Sequence, residues 1–174
     1  MQINLPDPDS MLQLGTNLAK LLPAENPPSI LLQGDLGAGK TTLVRAMVKS
    51  LPGGEEAEVS SPSFNLVNIY PTSPEVAHID LYRSSFGELE DDILDYLFDP
   101  SHLAIIEWIE HIPKSMWPRE YIHIVLDFCD AEQGHPEGEL GEESPGRSAT
   151  LSASCQKGCE LLNRLMSSFR VLGC

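Results

Sequence analysis

Apolar positions along the chain come in two patterns: short continuous or alternating runs, and longer runs at three- and four-residue spacing. Ser29-Ile30-Leu31-Leu32-Gln33 is a short apolar run between Pro27-Pro28 and Gly34, the signature of a buried parallel strand. After it, Leu43, Val44, Met47, Val48 and Leu51 recur at helical spacing until Pro52-Gly53-Gly54 stops them. Upstream, Gln2 to Leu5 predicts a short edge strand. Ser10 with Gln13 forms a capping-box pattern for a helix carrying Met11, Leu12, Leu14, Leu18, Leu21 and Leu22, ended by Pro23.

Downstream, Phe64 to Tyr70 and Val76 to Tyr82 alternate about Pro71-Thr72-Ser73-Pro74 and predict an antiparallel hairpin. Its second strand points Ala77, Ile79 and Leu81 at the core. His78, Asp80 and Tyr82 share the other face, as on a strand facing solvent. Ser85 and Glu88 repeat the capping-box pattern before a helix with Phe86, Leu89, Ile93 and Leu97 on one side. The acids of that helix, Glu88, Glu90, Asp91, Asp92 and Asp95, read as a solvated or partner-docking face. Leu103-Ala104-Ile105-Ile106 is an apolar strand that ends in Glu107-Trp108. Glu120 to Phe128 and Arg147 to Ser154 are further strands, and Cys159, Leu161, Leu162, Leu165 and Met166 mark a terminal helix. Between the last two strands, residues 130–146 are acidic and rich in Gly and Pro, as in a mobile loop. No internal repeat is visible.

Length and charge bound the function. A chain of 174 residues reads as one domain, 1–174, able to bury a sizeable core. The formal net charge of −15 repels a phosphate backbone, so autonomous nucleic-acid binding is disfavoured. No apolar run approaches the roughly 18 residues of a membrane span, and Met1 to Asp7 has no signal-peptide character. The four cysteines include no Cys-x-x-Cys pair and read as reduced structural thiols. The expectation is a soluble cytoplasmic protein with no membrane contact.

The chemistry concentrates in Gly34-Asp35-Leu36-Gly37-Ala38-Gly39-Lys40-Thr41, a glycine, four free positions, then Gly-Lys-Thr. Strand before and helix after give the pattern the context of a phosphate-binding loop. Glycines allow positive φ, so backbone N–H groups can form an anion nest, and the following helix adds its unpaired donors. Gly37, Ala38, Gly39, Lys40, Thr41 and Thr42 are therefore the expected nucleotide-binding residues. Lys40 is expected on the β/γ-phosphates and the Thr41 hydroxyl on Mg²⁺. Glu107, delivered by an apolar strand, is the matching acid: it would bind Mg²⁺ directly or through water, or orient the attacking water. Trp108, following a buried strand, is ambiguous between core and site.

Four stretches together resemble one family: residues 34–42, Ser61-Pro62-Ser63-Phe64, His78-Ile79-Asp80-Leu81-Tyr82-Arg83, and Glu107-Trp108. In order and spacing the chain is similar to the TsaE (YjeE) family of bacterial ATPases, with Ser63 where the commonest family form has Thr. The resemblance implies a P-loop NTPase-like α/β fold, with a mixed, largely parallel sheet, helices on both faces and an antiparallel hairpin. It implies a role in making threonylcarbamoyladenosine at adenosine 37 of tRNAs reading ANN codons. The partner would be the TsaD–TsaB heterodimer, which carries out the transfer and holds the tRNA, so tRNA is met only indirectly. Ser61 to Phe64 would be a switch-like loop and His78 to Arg83 a second one. Asp80, Glu107 and Trp108 would occupy functionally important positions.

The mechanism expected is in-line attack of water on the γ-phosphate of ATP, with Lys40, Glu107 and Asp80 as the catalytic set and Thr41 and Glu107 as metal ligands. Asp80 would position the water or, preferably, couple phosphate loss to the switch loops. Arg83 is the best internal candidate for an arginine finger, so a slow isolated ATPase activated by partners is expected. Two rivals stay open: a nucleotide-gated binding module that needs no hydrolysis, and a small-molecule kinase, for which the arginines are few and scattered. A GTPase lacks its Asn-Lys-x-Asp motif.

Overall fold

In the computed structural model the described residues are 1–62, 65–84, 89, 91–129 and 146–171. Ser63 and Phe64, the Ser85/Glu88 capping pair with Phe86 and Glu90, the acidic stretch short of Gly146, and Cys174 lie outside them. Seven strands form one sheet in the order β1-β7-β6-β2-β5-β4-β3. They are β1 (Gln2–Leu5), β2 (Ser29–Gln33), β3 (Val67–Tyr70), β4 (Val76–Asp80), β5 (Leu103–Glu107), β6 (Tyr121–Phe128) and β7 (Arg147–Ala153). The helices are α1 (Pro8–Leu21), α2 (Lys40–Ser50), α3 (Asp91–Phe98) and α4 (Gln156–Val171).

β2 sits between β5 and β6 and runs parallel to both; β4 is parallel to β5. β3 pairs antiparallel with β4, β7 with β6, and β1 with β7. Strands β1, β2, β4, β5 and β6 thus share one direction, in a mixed, mostly parallel sheet. The continuous apolar runs of β2 and β5 follow from burial on both faces. Side-chain alternation then sorts the core into two layers. Ile30, Leu32, Leu103 and Ile105 pack with the apolar stripes of α1, α2 and α4. Leu31, Ile79, Ala104 and Ile106 pack on the opposite face with Ile93 and Leu97 of α3.

Three local expectations change. Ser10 does not cap α1 but is its third residue; the cap is Asp7, whose Oδ1 accepts from Ser10 N at 2.7 Å. Pro8, with φ preset for the first helical position, draws the start forward. The hairpin strands are shorter than the alternation suggests, because β3 begins at Val67 and β4 ends at Asp80. The polar face of β4 is not a solvent face: His78 is 0% and Asp80 4% exposed, covered by the α2 layer. His78 to Asp80 therefore belongs to a sheet strand, and only Leu81 to Arg83 of the second expected switch is loop.

The sheet sets the site by aligning strand ends. β2, β4 and β5 are parallel neighbours, with Leu32 opposite Glu107 and Asp80 opposite Glu107. Their carboxyl ends meet on one edge, where crevices of open parallel sheets form. Among the described residues no helix is long and apolar enough to cross a membrane.

Two predictions follow from the packing. A Cβ at Gly15 of α1 would lie 2.5 Å from Ala46 Cβ and 3.0 Å from Leu43 O of α2. Helix propensity alone would make Gly15→Ala stabilising by about 1 kcal/mol, but the crossing has no room. A net loss of about 1–2 kcal/mol is expected from overpacking; an unchanged or higher thermal midpoint would contradict this. The second concerns His123 of β6, whose Nε2 lies 3.0 Å from Gln33 Oε1. Burial, with a smaller push from Lys114, holds its imidazole below the usual histidine range. Folding therefore favours neutral His123: its contribution is present above about pH 6.5 and lost as pH falls through the lower folded value. His123→Gln should flatten that acid limb in denaturant titrations taken at a series of pH values.

Candidate functional site

The β2 run ends at Gln33 and the chain turns at Gly34, with φ of 143°. A Cβ there would stand 2.3 Å from Leu126 O, so the loop lies directly against β6. Gly39, with φ of 104°, begins α2 without any side-chain cap on the first amides. An uncapped helix start that opens on a cleft is suited to anions. Lys40, the first residue of α2, is 4% exposed. Its Nζ donates to Gly34 O at 2.6 Å and Asp35 O at 2.9 Å, and sits 3.5 Å from the centre of the Trp108 ring. Burial pulls this ammonium below the ordinary lysine range; Glu107, then Glu110, Asp80 and Asp35, pull the other way.

Glu107, at the end of β5, is 2% exposed and receives two groups from different elements. The Thr41 hydroxyl lies 2.8 Å from its Oε1 and 3.1 Å from its Oε2. His78 Nε2 lies 2.9 Å from Oε1, and since a carboxylate only accepts, Nε2 is the donor. Asp80, one strand over, accepts from the Ser61 hydroxyl at Oδ2 and from Tyr82 N at Oδ1, 2.9 Å away. Both oxygens of Asp80 thus hold chain segments, the Ser61 loop and the turn after β4.

These groups line a cleft of about 420 Å³. Of the residues expected from the sequence, Gly37, Gly39, Lys40, Thr41, Thr42, Asp80 and Glu107 line it, joined by Ser61, Arg83 and Trp108. Ala38 is fully buried and packs behind the loop. Trp108 lies at the cleft rather than in the core: it takes φ of 61° at the strand end and covers Lys40. Tyr82 and His111 pack beside it at tilted angles, with ring centres 4.8 and 5.4 Å from its own. Among the described residues no group of three or more His, Cys, Asp or Glu is arranged to hold a metal ion. The Thr41 hydroxyl and Glu107 carboxylate are nevertheless a hard-oxygen pair, a fitting set for Mg²⁺ that takes its other ligands from phosphate and water.

Three contacts were not legible in the sequence. Glu110 Oε1 accepts from Gly34 N at 3.4 Å, from the one-turn helix Ile109–His111 after β5. Arg147 Nη2 donates to Gly37 O at 3.3 Å, across 110 positions of chain. The bond between His78 and Glu107 depends on strand register. Only Glu110 had any local signal, an acid one helical turn beyond a strand-end glutamate.

Comparison with known proteins adds to this geometry. Residues 5–134 match the family model described as "Threonylcarbamoyl adenosine biosynthesis protein TsaE". The chain is similar to the tRNA threonylcarbamoyladenosine biosynthesis protein TsaE of Haemophilus influenzae, 37% identical over 72% of this chain and 81% of the relative. It is similar also to that of a Nostoc species, 36% identical over 80% and 84%. The crystal structure of Bacillus subtilis YdiB superimposes with a TM-score of 0.65 over 97% of this chain and 95% of the other, at 21% identity. That likeness bears on the fold alone.

The electrostatics of the cleft yield one prediction. Glu107 is the foremost group raising the Lys40 pKa against burial. Glu107→Gln keeps an acceptor for Thr41 and removes the charge, so the Lys40 ammonium should titrate at still lower pH. Nitrogen-15 NMR titration of the lysine amine reads this, and an unmoved Lys40 resonance would contradict it.

Proposed function

The chain belongs to the TsaE family of tRNA threonylcarbamoyladenosine biosynthesis, and from that premise we propose that it is a Mg²⁺-dependent ATPase serving the TsaD–TsaB heterodimer. The observation that carries the reading is the convergence of Lys40, Thr41 and Glu107 at one cleft, at the uncapped start of α2. Loop amides and the α2 start bind the phosphates, and Lys40 leaves its loop carbonyls for the β/γ-oxygens. Thr41 and Glu107 would hold Mg²⁺, which would supply charge neutralisation at the phosphates. Water attacks the γ-phosphorus in line; the new oxygen–phosphorus bond forms as the bond to the β-phosphate oxygen breaks, giving ADP and phosphate.

Asp80 is the coupling residue in this reading. Its oxygens are taken by Ser61 and Tyr82, so it ties the neighbouring loops to the site rather than acting as a free base. Arg83, exposed and lining the cleft, is the internal candidate for an arginine finger, and the partner pair would activate turnover. Slow turnover in isolation follows. The net charge of −15 fits a division of labour in which the partners hold tRNA.

The test is ATP hydrolysis by the purified chain alone, with TsaD–TsaB, and with that pair plus tRNA. Stimulation by the pair is expected. Lys40→Ala should weaken nucleotide binding by about tenfold to a hundredfold, the worth of a charge-assisted contact, and abolish the stimulated rate. Hydrolysis indifferent to the pair would overturn the partner assignment. Unchanged nucleotide affinity in Lys40→Ala would overturn the site. Modification supported by a hydrolysis-dead Glu107→Ala would favour a nucleotide-gated binding module.

A further inference from the structure

His78 is 0% exposed, in the middle of β4, where its neighbours on the strand are apolar and the only other polar residue, Asp80, has both carboxylate oxygens occupied. Its ring centre lies 6.3 Å from that of Tyr70, with the two planes 28° apart. Nε2 binds Glu107 Oε1 at 2.9 Å, while Nδ1 has no hydrogen-bond partner among the described residues. A buried ring nitrogen without a partner costs desolvation that an aliphatic side chain of similar size would avoid. Packing is therefore a poor account of this imidazole. What it supplies that an aliphatic side chain lacks is one N–H, aimed at one oxygen of Glu107.

That oxygen matters because Glu107 has a rotatable carboxylate at the end of a strand. Thr41 touches both oxygens, at 2.8 and 3.1 Å, and so does not by itself settle how the carboxylate plane turns. The His78 contact engages Oε1 alone. With Oε1 shared between His78 and Thr41, Oε2 keeps only the longer contact. We infer that His78 is a positioning residue: it fixes the carboxylate of Glu107 so that Oε2 is presented for Mg²⁺ beside the Thr41 hydroxyl. The inference rests on the proposed function for the identity of the ion. Its geometry rests on β4–β5 register, which places His78 opposite Ile105, two residues before Glu107, on the same sheet face. Groups that orient a metal-binding carboxylate typically change metal affinity by about tenfold to a hundredfold when removed.

Amide substitutions distinguish orientation from bulk. The side-chain nitrogen of Gln falls near the Nε2 position of histidine, whereas that of Asn falls near Nδ1. The measurement is the dissociation constant of a non-hydrolysable ATP analogue, by calorimetry, once in Mg²⁺ and once in EDTA, with thermal midpoints recorded for each variant. His78→Asn should lose about tenfold to a hundredfold of affinity in Mg²⁺ and none in EDTA, while His78→Gln should stay close to the native chain in both. If the Asn variant fails to fold, His78→Met, which fills the space without a donor, takes its place with the same expectation. Equal losses in Mg²⁺ and EDTA, or no loss in either, would overturn the positioning role and leave the proposed function standing. A native chain that binds the analogue in neither buffer would overturn the proposed function and this inference with it.

Discussion

Everything at the cleft hangs on a carboxylate brought out of water. Glu107 is placed by the parallel pairing of β5 with β2 and β4, and it meets there a hydroxyl from α2 and an imidazole from β4. A buried, ionised acid is tolerable only when its oxygens are occupied by donors. The three elements are thus not independent. A shift of β5 by one residue would turn Glu107 into the α3 layer, among apolar residues such as Leu31 and Ile79. The register of the central strands and the integrity of the site are one constraint.

The second actor is a cation in the same confined space. Lys40 is almost wholly covered, yet four acids surround it, two backbone carbonyls accept from it, and an indole face lies over it. An aromatic face attracts an ammonium most where water is excluded. The positive φ of Trp108 makes this possible: by leaving the strand in a left-handed turn immediately after Glu107, the chain sets the ring over the amine. On a chain of net charge −15, this is a local reversal of sign kept by geometry rather than by composition.

Much of this was readable in the sequence because it is local. The strand–loop–helix around Gly34 to Thr41 depends on glycine, an apolar run and helical spacing within about two dozen residues, and β2 and α2 formed where the pattern put them. Glu107 was readable for the same reason, as an acid ending an apolar strand. What escaped depended on neighbours distant in the chain. The alternation of β4 suggested a wet face, but alternation says only that two faces differ, not that one meets solvent; the α2 layer covers His78 and Asp80. Arg147 reaches Gly37 from the far side of the acidic stretch, a contact with no local trace. The cap of α1 was misplaced by three residues because Asp7 and Ser10 can each play the capping role, and Pro8 decides between them.

The close crossing of α1 and α2 has a further meaning for how the loop behaves. Gly15 lets the two helices touch almost backbone to backbone, and one turn earlier Met11 of α1 lies against Gly39, where α2 begins: its Cε would be 3.0 Å from a Cβ there. α1 contributes no side chain to the lining of the cleft. It packs instead behind the loop. A change in α1 can therefore reach the phosphate-loop glycine from a helix that lines none of the cleft, leaving every cleft residue the same.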